Sequence, residues 1–232
     1  MPVLRKLFEE CSPAAAYSRA MTPEAEALVR SATVHAAVPF VPEVALFTAP
    51  EPFGLWGRTE REAPPFWAFP WAGGQGLARY VLDHPETVAG RHVLDVASGS
   101  GLVAIAAAKA GAKTVVAGDI DENALAAIAL NAVANDTPQV IARRVDLATA
   151  VDAIEAPDVV LAADVFYQRE LAALAVAFLK AARRAGATVL AADPARAFVP
   201  KAELSPVVSY EVPVLTVLED VPAKTVTIYR LP

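Results

Sequence analysis

From about residue 72 onward, short apolar runs alternate with stretches whose apolar positions recur every three to four residues, the signatures of strand and helix. This pattern predicts helices over 74–83, 102–110, 123–134 and 169–184, and strands over 91–96, 114–118, 139–145, 159–163 and 188–192. In the helix over 169–184, Leu171, Leu174, Ala175 and Phe178 form one apolar stripe. Strands that alternate with helices imply an α/β fold with a largely parallel sheet covered on both faces. After Pro206 the pattern changes to two β-rich runs, 207–217 and 225–231. Glu219-Asp220-Val221-Pro222 separates them, and together they read as a closing antiparallel hairpin.

The first 70 residues read differently. Two helical stretches are expected up to about residue 35, one near Leu4 to Phe8 and one opened by Thr22-Pro23-Glu24-Ala25-Glu26, with a hydroxyl cap, proline in the first turn and early acids. Repeated prolines from Pro39 to Pro70 rule out a long helix there, leaving one short strand at Val44 to Phe47 and an extended path. That path carries Trp56, Phe66, Trp67, Phe69 and Trp71, an apolar load that must pack on something. The expected organisation is a helical and extended segment over 1–70 packing on a ligand-binding domain over 71–232.

Composition narrows the class. At 232 residues, 55% apolar and only 20% charged, the chain suits a packed globular protein with one core. The formal charge of −6 comes without a basic stripe, so nucleic acid is not an expected partner. The lone Cys11 forms no internal disulfide, and the dispersed His35, His84 and His92 show no metal-ligand spacing, so no metal is expected. Acids within the first turns and a short apolar run match neither a signal peptide nor a membrane span. The expectation is a cytoplasmic protein away from membranes.

Candidate chemistry lies at the predicted strand ends. Val93-Leu-Asp95-Val-Ala97-Ser-Gly99-Ser-Gly101 is an apolar run carrying an acid, followed by a glycine turn that opens a helix; Asp119-Ile-Asp121 ends the next run, 18 positions beyond Gly101. Asp95, Asp119, Asp146 and Asp164 all fall at or just past strand ends, where an open parallel sheet holds its ligand crevice. Unpaired buried carboxylates are costly, so the ligand is expected to complement them. Gly99 and Gly101 let the backbone approach that ligand. The same glycines, with Ala104 in third place, also satisfy a dinucleotide fingerprint. Asp95 separates the two readings: a carboxylate there repels a pyrophosphate and favours the ammonium and sulfonium end of S-adenosyl-L-methionine. Asp119 then serves the ribose hydroxyls and Asp146 the adenine amino group, although a solvated loop acid explains Asp146 as well. Asp164-Val-Phe166-Tyr167 supplies an acceptor and two aromatics suited to a nitrogen nucleophile.

The run Trp67-Ala-Phe-Pro-Trp71-Ala-Gly-Gly-Gln-Gly-Leu-Ala-Arg-Tyr-Val-Leu, then Asp95 to Gly101, Asp119-Ile-Asp, Asp164-Val-Phe-Tyr and Asp193-Pro-Ala-Arg196, resembles the seven-strand protein methyltransferases. It is most similar to the lysine methyltransferases of the electron transfer flavoprotein β-subunit, over about residues 42–198. The resemblance implies a Rossmann-like seven-stranded sheet with a terminal antiparallel hairpin, and S-adenosylmethionine as cofactor. It places Trp71 beside the cofactor, Asp95 to Gly101 at its methionine end and Asp119 on the ribose. Asp164 and Tyr167 fall in the motif of acid, two residues, aromatic, as catalytic residues, with Phe166 and Arg196 on the substrate side or Arg196 in a structural ion pair. Two positions depart from the pattern: Ala97 replaces a loop glycine, and Gln168 stands where relatives can carry an acid.

The implied reaction is in-line transfer of a methyl group to a neutral lysine amine, with Asp164 orienting the amine rather than deprotonating it. The implied partner is a protein with an exposed lysine, the electron transfer flavoprotein β-subunit by resemblance. A ribosomal protein or a small amine such as nicotinamide is an alternative acceptor. Further alternatives are a dinucleotide-dependent oxidoreductase and a binding module without activity.

Overall fold

A computed structural model describes residues 22–50, 55, 64–148, 157–216 and 221–232. The helix expected over 4–8, Cys11, Trp56 and the Glu219-Asp220 part of the last turn lie outside the described residues. The elements in chain order are α1 (Pro23–Ala32), β1 (Val34–Val38), β2 (Val41–Thr48), α2 (Ala72–Asp83), β3 (His92–Val96), α3 (Leu102–Lys109), β4 (Thr114–Asp119) and α4 (Glu122–Ala134). There follow β5 (Val140–Arg144), β6 (Val159–Ala163), α5 (Arg169–Arg184), β7 (Thr188–Asp193), β8 (Ser205–Pro213) and β9 (Ala223–Arg230).

Seven strands form one sheet in the order β5-β4-β3-β6-β7-β9-β8, parallel from β5 to β7 and antiparallel at β7/β9 and β9/β8. The expected parallel sheet and closing hairpin are both present. Successive residues of a strand face opposite sides, and both sides are apolar here: Val93, Val115, Ala117 and Leu161 pack with α2, α3 and α4, whereas Leu94, Val96, Val116 and Val160 pack with α5. Burial on both faces explains why these strands read as continuous apolar runs rather than alternating ones.

The N-terminal part corrects the sequence reading. α1 starts as expected, with Thr22 Oγ1 accepting from the Ala25 N–H at 3.2 Å. The residues after it form an antiparallel ribbon, β1 with β2, where only Val44 to Phe47 was expected to be strand. Val34-His-Ala-Ala-Val has no apolar alternation, and four of its five residues are exposed; the ladder with β2 and the buried Val38 hold it. β2 buries Val41, Val44 and Leu46 in the main core.

Asn131 of α4 and Asn135, the residue that caps its end, bind this ribbon to the helix. Asn131, fully buried, accepts from the Phe47 N–H through Oδ1 and donates from Nδ2 to the Ser100 carbonyl, each at 2.8 Å. Asn135 accepts from the Ala45 N–H (3.1 Å) and donates to the Ala45 carbonyl (2.6 Å). β2 thus reaches the loop after β3 through the Asn131 side chain.

Candidate active site

β4 and β5 lie on one side of β3 and β6 on the other, so the loops leaving β3 and β6 diverge at the carboxyl ends of the strands. The crevice between them is a cavity of about 560 Å³. Its wall comes from the loops after β3, β4, β6 and β7, the first turn of α2, and the segment from Pro64 to Trp71.

On the β3 side, Asp95 and Asp119 have no cationic partner among the described residues. Asp95 is 1% exposed; its Oδ2 accepts from Ser98 Oγ at 2.5 Å. Burial pushes its pKa up to about 7, and the nearby Asp119 adds to the rise, against the opposing hydrogen bonds of Ser98 and the Ala104 N–H. Asp119 accepts from the Gly99 N–H (2.9 Å) and the Asp121 N–H (3.0 Å), and burial raises its pKa despite them. The loop between them passes through left-handed backbone at Gly99 (φ +56) and Gly101 (φ +84), a conformation glycine adopts without cost. Ala97 takes the same conformation (φ +52) with a methyl group, a strain of about 1–2 kcal/mol.

On the β6 side the acid is held from two directions. Asp164 Oδ2 accepts from the Gly74 N–H at 2.8 Å, capping the first turn of α2, whose own N-cap residue, Trp71, makes no side-chain cap bond. Gly73 makes this seat possible: a Cβ there would stand 2.6 Å from Asp164 Oδ2. Asp164 Oδ1 pairs with Arg196 Nη1, which also lies 3.5 Å from Asp193 Oδ2. The Arg196 N–H donates to Asp193 Oδ1 at 2.6 Å. Asp193 is fully buried, and burial pushes its pKa up to about 6 although Arg196 opposes this. Asp164 (φ +57) and Ala195 (φ +63) are also left-handed, so three of the four such non-glycine residues among those described flank this crevice.

Aromatic rings close one wall. Phe66 lies 5.2 Å from Tyr167 and 5.8 Å from Trp71, centre to centre, and Trp71 Nε1 donates to the Phe66 carbonyl at 2.8 Å. Burial raises the pKa of the Tyr167 hydroxyl, so the ring stays neutral. Among the described residues no group of three or more His, Cys, Asp or Glu side chains is placed to hold a metal ion.

Residues 80–190 match the ribosomal protein L11 methyltransferase (PrmA) family. The electron transfer flavoprotein beta subunit lysine methyltransferase of Homo sapiens is 40% identical over 121 residues, covering 51% of this chain and 43% of the relative. That of Xenopus laevis is 36% identical over 164 residues, covering 68% and 65%. The chain thus spans between two fifths and two thirds of the length of these curated relatives. The magnesium protoporphyrin IX methyltransferase of Synechocystis PCC 6803, solved with bound SAM, superposes with a TM-score of 0.50 at 17% identity, covering 67% of this chain and 76% of that one, a likeness of fold. Over the matched residues the chain is similar to methyltransferases.

Most of the residues singled out in the sequence meet in one place. Trp71, Asp95, Gly99, Asp119, Asp164, Tyr167 and Arg196 all line the cavity, and Gly101 opens α3 beside it. Two do not. Phe166 is fully buried against α5 in the second core cluster and forms no part of the wall: after the left-handed turn at Asp164, Val165 and Tyr167 line the cavity while Phe166 faces the core. Asp146 accepts from the Ala148 N–H at 2.9 Å beyond β5 and is absent from the wall formed by the described residues. Sequence reading missed Phe66 and the Gly73-Gly74 seat. Glycines in the first turn of a predicted helix, lacking a capping side chain, were the available sign that another residue caps it.

Proposed function

We propose that this chain is an S-adenosylmethionine-dependent protein-lysine N-methyltransferase, acting on the β-subunit of electron transfer flavoprotein. The observation that carries the reading is the pair of acids at the ends of β3 and β4, buried at the cavity without a cationic partner among the described residues. The naming of the 36–40% identical relatives supports the choice of acceptor.

The residues present fit the cofactor. A cavity of about 560 Å³ is of a size for a ligand of this kind. A buried carboxylate whose pKa is raised to about 7 gains most from a ligand that brings positive charge, and Asp119 has oxygen lone pairs left for hydroxyl groups. Asp95 and the loop to Gly101 would hold the amino acid end, Asp119 the ribose, and Trp71 and Phe66 the apolar side. Bound there, the cofactor supplies a methyl group on a positively charged sulfur. A pyrophosphate beside Asp95 would meet repulsion instead, which disfavours the dinucleotide reading.

Tyr167, Phe66 and Asp164 then form the acceptor end. A lysine ammonium, with a free pKa near ~10.4, gives its proton to water before reacting. With its lone pair free, the amine would take the methyl group that the bound cofactor would supply, at a position set by Tyr167, Phe66 and Asp164. The wall contributes position: holding amine and methyl in line near contact distance is worth up to ~7–11 kcal/mol.

The test is incubation with methyl-labelled S-adenosylmethionine and purified electron transfer flavoprotein, alongside a lysate lacking this chain. Label on a lysine of the β-subunit is the expected result. Label on a ribosomal protein or a small amine would reassign the acceptor, and no transfer to any of these would overturn the reading.

A further inference from the structure

Arg196 stands between two acids, yet its guanidinium reaches the cavity wall beside Tyr167. We infer that Arg196 sets the charge of the acceptor slot: by cancelling the charge of Asp164 it makes the slot receive lysine as the neutral amine instead of the ammonium. The inference rests on the proposed methyl transfer and assigns Arg196 as a positioning residue within it.

A bare carboxylate at the methyl acceptor position works against the reaction. An opposite charge within about 4–6 Å raises the pKa of an ammonium group by 1–3 units, and a protonated amine has no lone pair to give. Asp164 is nevertheless fixed in place, because Oδ2 caps α2 in the space that the missing Cβ of Gly73 leaves for it. Arg196 on Oδ1 resolves the conflict: Asp164 keeps its structural seat while its field toward the cavity is balanced. An arginine suits this position because its guanidinium stays charged at any working pH and spans two carboxylates.

Among the described residues, the other ionisable groups on this side come from several elements, with Asp121 after β4 also on the cavity wall. β7 contributes Asp193, the loop after β6 the neutral Tyr167, and β4 and β3 the more distant Asp119 and Asp95. The first turn of α2 brings no ionisable side chain, and α5 begins with Arg169, whose guanidinium lies over the Phe198 ring at 5.3 Å. Asp193 shares Arg196 and leaves the group as a whole slightly acidic once it ionises.

The test is the pH dependence of kcat from pH 6.5 to 10, with S-adenosylmethionine and the electron transfer flavoprotein β-subunit as substrates, for the unsubstituted chain, Arg196→Gln and Arg196→Lys. The expected result is a rising limb about one pH unit higher in Arg196→Gln, with Arg196→Lys restoring the original limb. A rate lowered equally at every pH in Arg196→Gln, or a limb displaced alike in both variants, overturns the inference. Should Arg196→Gln fail to fold, Asp193→Asn reads the same slot: removing its charge should move the limb to lower pH, and an unmoved limb overturns the inference. Calorimetry with S-adenosylmethionine separates the two levels. An unsubstituted chain that neither binds it nor labels a lysine overturns the functional reading, whereas one that does both while Arg196→Gln keeps its limb overturns the role of Arg196 alone.

Discussion

The acids at the ends of β3 and β4 and those at the ends of β6 and β7 meet burial in opposite ways. Asp95 and Asp119 are stabilised only by hydroxyl and backbone donors, and burial raises both pKa values. Asp164 and Asp193 carry their own counter-ion in Arg196. The first pair leaves its negative charge without a cation among the described residues, a site that favours a cationic ligand; in the second, one guanidinium balances Asp164 on the cavity wall, while the charge of Asp193 is buried off that wall. One cavity therefore contains two electrostatic environments, which the proposed function assigns to a positively charged donor at one end and an uncharged amine at the other.

Removing the acid on the balanced side should have the largest effect. Asp164→Ala is expected to lower methyl transfer on the order of 100-fold, the scale of misplacing a reacting group by about 1 Å, while the affinity for S-adenosylmethionine changes by only a few-fold. Equal losses of transfer and binding, measured by label incorporation and calorimetry, would place Asp164 in the cofactor site and erase the distinction between the halves.

On the unbalanced side, the raised pKa of Asp95 makes stability depend on pH. Its folded value, about 7, lies above the ordinary aspartate value of 3.8, so its contribution is fully present below pH 4 and lost as pH rises through 7. Asp95→Asn should remove that loss, stabilising the ligand-free chain at pH 8 on the order of a few kcal/mol and flattening the fall of Tm between pH 5 and 8. An unchanged slope would mean that Asp95 is already compensated. Asp193, pushed up to about 6, adds a shallower dependence of the same sign that Asp95→Asn leaves in place.

The smallest effect tests how the cofactor side is held. Asn131→Ala removes one bond to β2 and one to the Ser100 carbonyl, at a cost of about 1–3 kcal/mol for the buried groups left unpaired. Denaturant unfolding should register that loss, and cofactor affinity should fall while the pH limb of transfer stays fixed. A moved limb would link Asn131 to the acceptor side instead.

Much of this was readable in the chain. The central strands are buried on both faces, so β3, β4, β6 and β7 stand out as apolar runs ending in acid or glycine, and the acids at their ends fall on one rim. β1 escaped because Val34-His-Ala-Ala-Val has neither alternation nor a buried face, and its strand form depends on pairing with β2. Phe166 was misplaced because nearness in sequence to Asp164 does not survive a left-handed turn. The pairing of Arg196 with Asp164 joins residues 32 apart through the β6–β7 neighbourhood; from sequence an ion pair was one of two readings for that arginine, with no partner assigned.

The most direct measurement is calorimetric titration of the chain and of Asp95→Asn at pH 8, with S-adenosylmethionine and with a nicotinamide dinucleotide. An uncompensated carboxylate facing a cation should give binding of S-adenosylmethionine alone, weakened about 10-fold or more by the substitution, the scale of a charged hydrogen bond. Preference for the dinucleotide, or an affinity for S-adenosylmethionine indifferent to Asp95→Asn, would contradict the account.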